Sequence, residues 1–228
     1  MQIVISKNFD INIRDIPLDV RKFNRIMGFG DFLPMPFSDI FEKISTALET
    51  GTAHGEAVIF DENEIEIRKN NITIAGIEFA TGSKISSYLK ESSGIVLFIC
   101  TLGAEFEAGM KSFNSDPVET FFADTIGSLK CETLADMLHD KIAAELKKSG
   151  LLTTNRYSPG YCNWNVSEQQ KLFSFFGETK TGISLNESSL MMPVKSISGI
   201  IGTGTNVQKI PYTCDICADI DCFYRKLK

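Results

Sequence analysis

The residue types best suited to chemistry gather at positions 156–170, Arg156-Tyr157-Ser158-Pro159-Gly160-Tyr161-Cys162-Asn163-Trp164-Asn165-Val166-Ser167-Glu168-Gln169-Gln170. A Pro-Gly pair suits a type II turn, since Pro159 fixes φ and Gly160 accepts a positive φ, and such a turn presents backbone amides and carbonyls to a ligand. Arg156 can clamp a carboxylate or phosphate through two N–H donors. Tyr157, Tyr161 and Trp164, the single tryptophan of the chain, offer flat faces for an aromatic ring or a cation. The same residues would also serve as an aromatic-rich loop that caps the core. A second cluster is Cys214-x-x-Cys217-x-x-x-x-Cys222, three thiols within nine residues. Thiolates so close together suit zinc or an iron-sulfur cluster, with Cys162 or a residue of another protein as the fourth ligand of a closed site. A reduced, unliganded cysteine tail is the other reading.

The run from Arg156 to Tyr161 resembles the R-x-x-x-G-Y signature of the activation domain of cobalamin-dependent methionine synthase, the module that binds S-adenosylmethionine. A second run, Leu185-Asn186-Glu187-Ser188-Ser189-Leu190-Met191-Met192-Pro193-Val194-Lys195-Ser196-Ile197-Ser198-Gly199, is similar to the family's L-x-E-S-x-x-M-x-P-x-x-S-x-S-G. The two occur in the family's order and at a similar separation, and the resemblance covers residues 90–202. Within it, residues 129–140 resemble a helix whose glutamate lines the S-adenosylmethionine site, and by motif position that residue is Glu132. The resemblance implies that Arg156 holds the methionine carboxylate and that the backbone of Ser158 and Gly160 takes the adenine or ribose. Tyr161 then packs on the ligand and Glu132 accepts a polar contact from it. It further implies that Glu187, Ser188, Met192 and Ser198 lie beside the ligand or on the surface that faces the cobalamin.

The elements that must position these residues follow from hydrophobic period and punctuation. Residues 2–6 read as a strand, 18–27 as a short amphipathic helix, and 38–50 as a helix capped by Ser38 and stopped by Gly51. Short runs rich in β-branched residues at 56–61, 64–68, 72–74 and 77–80 read as strands. Residues 94–100 form a continuous apolar run, hence a central strand buried on both faces, with Cys100 in the core. A helix at about 104–113 follows. Asp116-Pro117-Val118-Glu119 then opens a long helix whose apolar spacing persists to near Lys148, with Gly150 ending it. His139 on that helix reads as a boundary histidine. Residues 151–165 are expected to form the recognition loop, Ser167 and Gln170 to make a capping box for a helix to about 176, and 196–202 to form a strand whose small residues allow close backbone approach. The expected architecture is α+β, a twisted and mainly antiparallel sheet with packed helices. Residues 1–90 are an amino-terminal region, residues 91–210 the S-adenosylmethionine-binding core and residues 211–228 a cysteine-containing tail.

Composition narrows the partners. With 228 residues and 43% hydrophobic content the chain can bury a core, and a net charge of −6 without a Lys/Arg cluster argues against nucleic acid. The longest apolar run, 94–102, falls well short of the roughly 20 residues that span a bilayer. No leader is evident, so the expected location is cytoplasmic and the thiols are expected to be reduced. There is no D-x-H-x-x-G cobalamin motif. The resemblance therefore implies an accessory, activating subunit of a methyltransferase. It would supply S-adenosylmethionine for the reductive methylation of inactive cob(II)alamin on a separate methionine synthase core or other corrinoid protein, with a flavodoxin-type electron donor. Two alternatives remain, an iron-sulfur or metal-containing reductive activator of a corrinoid protein and a non-catalytic S-adenosylmethionine-binding regulatory module.

Overall fold

The computed structural model describes residues 9–177 and 179–210. The strand expected at 2–6 and the cysteine tail lie outside them. In chain order come β1 (Phe9–Asn12), α1 (Val20–Ile26), α2 (Phe37–Ala47), β2 (Thr52–Phe60), β3 (Ile65–Ile67), β4 (Ile72–Ile74), β5 (Ile77–Phe79), α3 (Gly82–Leu89) and β6 (Gly94–Thr101). Then follow α4 (Gly103–Lys111), α5 (Pro117–Lys147), β7 (Leu152–Tyr157), α6 (Gln169–Phe173), β8 (Ser184–Leu185), β9 (Met191–Met192) and β10 (Ser196–Gly204). Five strands pair antiparallel in the order β1-β2-β6-β10-β7, which bears out the expected α+β architecture.

The central place of β6 follows from its sequence, since a strand that is apolar at every position has to be covered on both faces. All eight of its residues are buried. Its alternate side chains divide between two cores. Val96, Phe98 and Cys100 join Phe106, Phe122, Ile126, Leu134 and Leu138 beneath the helices, while Ile95, Leu97 and Ile99 join Phe60, Ile72, Phe79, Leu89 and Trp164 on the opposite face. Removing a fully enclosed ring such as Phe98 or Phe79 costs about 3–5 kcal/mol, because the lost transfer free energy is compounded by the cavity left behind.

Helix α5 is the platform of one face. Asp116 caps it by accepting hydrogen bonds from the amides of Val118 (2.7 Å) and Glu119 (3.0 Å), as the sequence predicts. At Gly127 an added Cβ would meet Cε of Lys195 and Sδ of Met110, each at 3.0 Å, so the missing side chain admits neighbouring side chains and not a neighbouring backbone. The buried Lys195 passes there to reach Asp124 (2.7 Å) and Ser128 (2.9 Å). A second buried lysine, Lys130, donates from the same helix to the carbonyls of Ile13 (3.0 Å) and Ile16 (3.1 Å), tying the segment after β1 to α5.

Several boundaries differ from expectation. Helix α2 starts at Phe37 with Pro36 at the cap position, so Ser38 lies inside it and turns its hydroxyl to the Met35 sulfur at 2.8 Å. Asn165, not Ser167, caps the turn before α6 by accepting from the Ser167 amide at 2.9 Å, and Gln170 donates to the Ser189 hydroxyl at 3.2 Å in place of closing a capping box. Residues 152–157, expected as loop, form the edge strand β7.

Candidate functional site

The register of β7 decides where Arg156 points. Arg156 stands opposite Ile201 and Tyr157 opposite Ile200. Ile201 belongs to the helix-side core and Ile200 to the other, so Arg156 is directed at α5 and Tyr157 away from it. Gly199 fits this pairing closely, because a Cβ there would run into the Tyr157 carbonyl. The close approach expected along residues 196–202 is thereby met at this glycine.

Under Arg156, α5 presents Glu132 and Asp136, one helical turn apart and on one face. The guanidinium donates through Nη2 to Glu132 Oε2 at 2.5 Å and through Nη1 to Asp136 Oδ1. Burial acts to lower the Arg156 pKa, and the hydrogen bonds and charges of Asp136 and Glu132 outweigh it, so the net shift is upward and the cation is secured. The Arg156 side chain is 21% exposed, against 49% for Glu132 and 66% for Asp136, so the two carboxylates flank a guanidinium set at the protein surface. They engage two of its five N–H donors.

Immediately beyond β7 the chain makes the expected turn. The Tyr161 amide donates to the Ser158 carbonyl at 3.3 Å, and Gly160 takes φ +95°, a conformation that strains any residue with a Cβ. A Cβ at Gly160 would meet nothing within 4 Å, so the glycine is required by the turn and faces open space. Cys162 and Asn163 follow with positive φ, and the loop closes through Gly160 N–H to the Trp164 carbonyl at 2.7 Å. Gly160 and Tyr161 are exposed and Ser158 is half-buried.

Of the aromatic faces, Tyr161 alone is presented outward. Trp164 is 1% exposed and packs edge-to-face on Phe79, with centroids 6.2 Å apart, which corrects the expectation that it offers a face to a ligand. Tyr157 is half-buried and stacks on Tyr88 at 5.7 Å.

The second motif forms a hairpin. Glu187 and Ser188 are exposed in the connection between β8 and β9, where Asn186 Oδ1 accepts from the amides of Ser188 and Leu190, both at 2.9 Å. Met192 is half-exposed. Ser198 differs from these in being buried, and its hydroxyl donates to Gln169 Oε1 at 2.6 Å. Gln169 Nε2 in turn donates to the Ser189 carbonyl at 2.6 Å, so one buried amide links β10, α6 and the hairpin. The other two residues that shape the site, Asp136 and Gln169, were not singled out by the sequence reading. Asp136 was findable, standing four residues beyond Glu132.

His139, three residues beyond Asp136 and seven beyond Glu132 on α5, is buried with Nε2 3.2 Å from the Thr153 hydroxyl. Burial, then the positive charges of Lys209 and Arg156, push its pKa down to about 4, so it is neutral at pH 7. Cys100 and Cys131 lie in the helix-side core, where burial pushes the Cys100 thiol up to about 12 and the Cys131 thiol well above its usual range. Neither is a reactive thiolate at neutral pH. Among the described residues no three His, Cys, Asp or Glu side chains are grouped to hold a metal ion, and Cys214, Cys217 and Cys222 lie outside them. Among the described residues no helix is long and apolar enough to cross a membrane.

Comparison with known proteins agrees with this architecture. The crystal structure of the MetH reactivation domain bound to AdoHcy matches with a TM-score of 0.64 and 16% identity, covering 92% of this chain and 81% of that one, a likeness of fold. No curated protein matches the chain. The family model described as "Vitamin B12 dependent methionine synthase, activation domain" matches residues 83–217, a span that contains Glu132, Arg156, the 158–161 turn and the hairpin. The chain belongs to the vitamin B12 dependent methionine synthase activation domain family.

Proposed function

We propose that the chain binds S-adenosylmethionine across Glu132, Arg156 and the 158–161 turn and presents its methyl group to a corrinoid carried by another polypeptide. The observation that carries this reading is the meeting of Glu132 and Arg156, two residues implied separately by the family resemblance, on an open surface beside the turn. Arg156 holds the methionine carboxylate with donors that Glu132 and Asp136 leave over. The backbone of Ser158 and Gly160 takes the adenine or ribose, Tyr161 covers the ligand, and Glu132 accepts from the ribose hydroxyls. The residues present suit such a ligand, since they combine a guanidinium, carboxylates, outward backbone groups and one exposed aromatic ring.

The chemistry asks these residues for placement and not for proton transfer. A corrinoid on the partner, reduced by one electron from a flavodoxin-type donor, would supply a cobalt nucleophilic enough to take the sulfonium methyl. A cobalt–carbon bond would form as the C–S bond breaks with its electron pair on sulfur, and S-adenosylhomocysteine would be left on the chain. Holding the sulfonium in line with the incoming cobalt is then the chain's contribution, as expected for a step limited by orientation. The exposed hairpin residues Glu187, Ser188 and Met192 face the corrinoid partner in this reading, and Ser198, being buried, does not. The chain acts in the cytoplasm, with residues 91–210 as its S-adenosylmethionine-binding core.

Mixing the protein with a cob(II)alamin-loaded synthase core, reductant and S-adenosylmethionine tests the proposal. Methylcobalamin absorbance should grow only when the chain and S-adenosylmethionine are both present. Growth no faster than without the chain would overturn the activating role. A purely regulatory module would bind the ligand and still fail this assay.

A further inference from the structure

Asp136 is left without a role by the ligand contacts above, yet it holds Arg156 through Nη1 as Glu132 does through Nη2. The group therefore sets two negative charges against one positive charge. A ligand carboxylate settling on Arg156 would raise that excess, and at close range in a partly desolvated site the repulsion is unfavourable unless a cation arrives with it. An α-amino-acid head group brings one, since its ammonium nitrogen is two bonds from its carboxylate carbon.

The chain directions say which carboxylate meets that ammonium. Helix α5 and β7 run antiparallel across this face, because Thr153 meets His139 while Arg156, three residues on, meets Glu132 and Asp136. Strand β7 thus advances toward the amino-terminal end of α5, and the turn after Tyr157 falls on the Glu132 side. Lys195 agrees with this direction. It lies four residues before Gly199, which abuts Ser158, and it reaches Ser128, one turn before Glu132. A nucleoside on the turn is consequently nearer Glu132, and the amino-acid end of the same ligand, beyond Arg156, comes to Asp136, the more exposed carboxylate.

We propose that Asp136 accepts the α-ammonium of the bound ligand while Arg156 takes its carboxylate, so that the site selects a zwitterionic amino-acid head group. This rests on the S-adenosylmethionine reading above and adds a residue to it.

The test is calorimetry on wild type and Asp136→Asn with three ligands. These are S-adenosylhomocysteine, its deaminated analogue that keeps the carboxylate, and 5′-methylthioadenosine, which has neither group. Asp136→Asn should weaken S-adenosylhomocysteine binding by roughly 10-fold or more, as expected for loss of a charged hydrogen bond. It should leave the deaminated analogue unchanged or tighter, and 5′-methylthioadenosine unchanged. Because Asp136 is a surface residue of α5, the variant's thermal unfolding should match wild type. Equal weakening of S-adenosylhomocysteine and the deaminated analogue would overturn the proposal and make Asp136 a residue that only orients Arg156. Tighter or unchanged S-adenosylhomocysteine binding would overturn it too. If wild type binds none of the three, the S-adenosylmethionine reading itself falls, an outcome distinct from a failure seen only in the variant.

Discussion

Arg156 and Glu132 stand 24 residues apart in the chain and meet through Nη2 and Oε2 at 2.5 Å, one carried by the edge strand β7 and the other by the middle of α5. With the Arg156 side chain 21% exposed and that of Glu132 49%, the pair is partly desolvated and stands beside the open 158–161 turn. Arg156→Ala should weaken S-adenosylmethionine binding by roughly 10- to 100-fold, the range of charged hydrogen bonds, with little change in the unfolding midpoint. Calorimetry and thermal melting together check this. An unchanged affinity would refute the carboxylate clamp.

Trp164 behaves as core. Its ring packs on Phe79, and its buried Nε1 has no hydrogen-bond partner among the described residues. Trp164→Phe should therefore cost less than about 1.5 kcal/mol, while Trp164→Ala should cost about 3–5 kcal/mol. Urea unfolding measures both. A Phe variant that kept its stability and lost S-adenosylmethionine would instead place the indole at the ligand.

His139 makes stability depend on pH. Its folded pKa is lowered to about 4 by burial and by Lys209 and Arg156. The unfolded chain titrates near 6.5, so between those values the unfolded state binds the extra proton. Stability contributed by neutral His139 is full above about pH 6.5 and is lost as the pH falls toward about 4, by up to roughly 3 kcal/mol. Urea midpoints measured from pH 7.5 to 4.5 should decline, and His139→Gln should flatten the decline. An equally steep slope in that variant would assign the effect to other groups.

The cysteine tail is testable apart from the ligand. The expected zinc or iron-sulfur site at Cys214, Cys217 and Cys222 predicts bound metal in anaerobically purified protein, lost on Cys217→Ser. Elemental analysis and visible absorption read it directly. Absence of both zinc and iron would remove the metal-containing activator as an alternative. Cys100 and Cys131 should stay unreactive toward thiol reagents in the native state, because burial holds both as neutral thiols.

Much of this was legible in the residues. The Asp116-Pro117 cap and the apolar spacing marked α5 almost to its last turn, and the unbroken apolar run marked β6 as the strand with both faces covered. Helix α3 passed unseen because it is short, has no side-chain hydrogen bond at its cap, and buries only Ile85, Ser86 and Leu89. Trp164 read as a ligand face because a flat ring in a loop has the same local sequence whether it turns outward or inward. The neighbour that settles the matter, Phe79, comes from another part of the chain. The site was half legible for a similar reason. Glu132 and Arg156 carried motif positions and Asp136 shares the Glu132 face four residues on, whereas Gln169 gains its meaning from what it touches, which spacing alone does not reveal.

The most direct measurement is a crystal structure of the protein soaked with S-adenosylhomocysteine. The account predicts the nucleoside along the 158–161 turn, with the amino-acid carboxylate on Arg156 and a polar contact to Glu132. Ligand density elsewhere on the protein, or a 158–161 turn covered by the protein's own side chains, would contradict it.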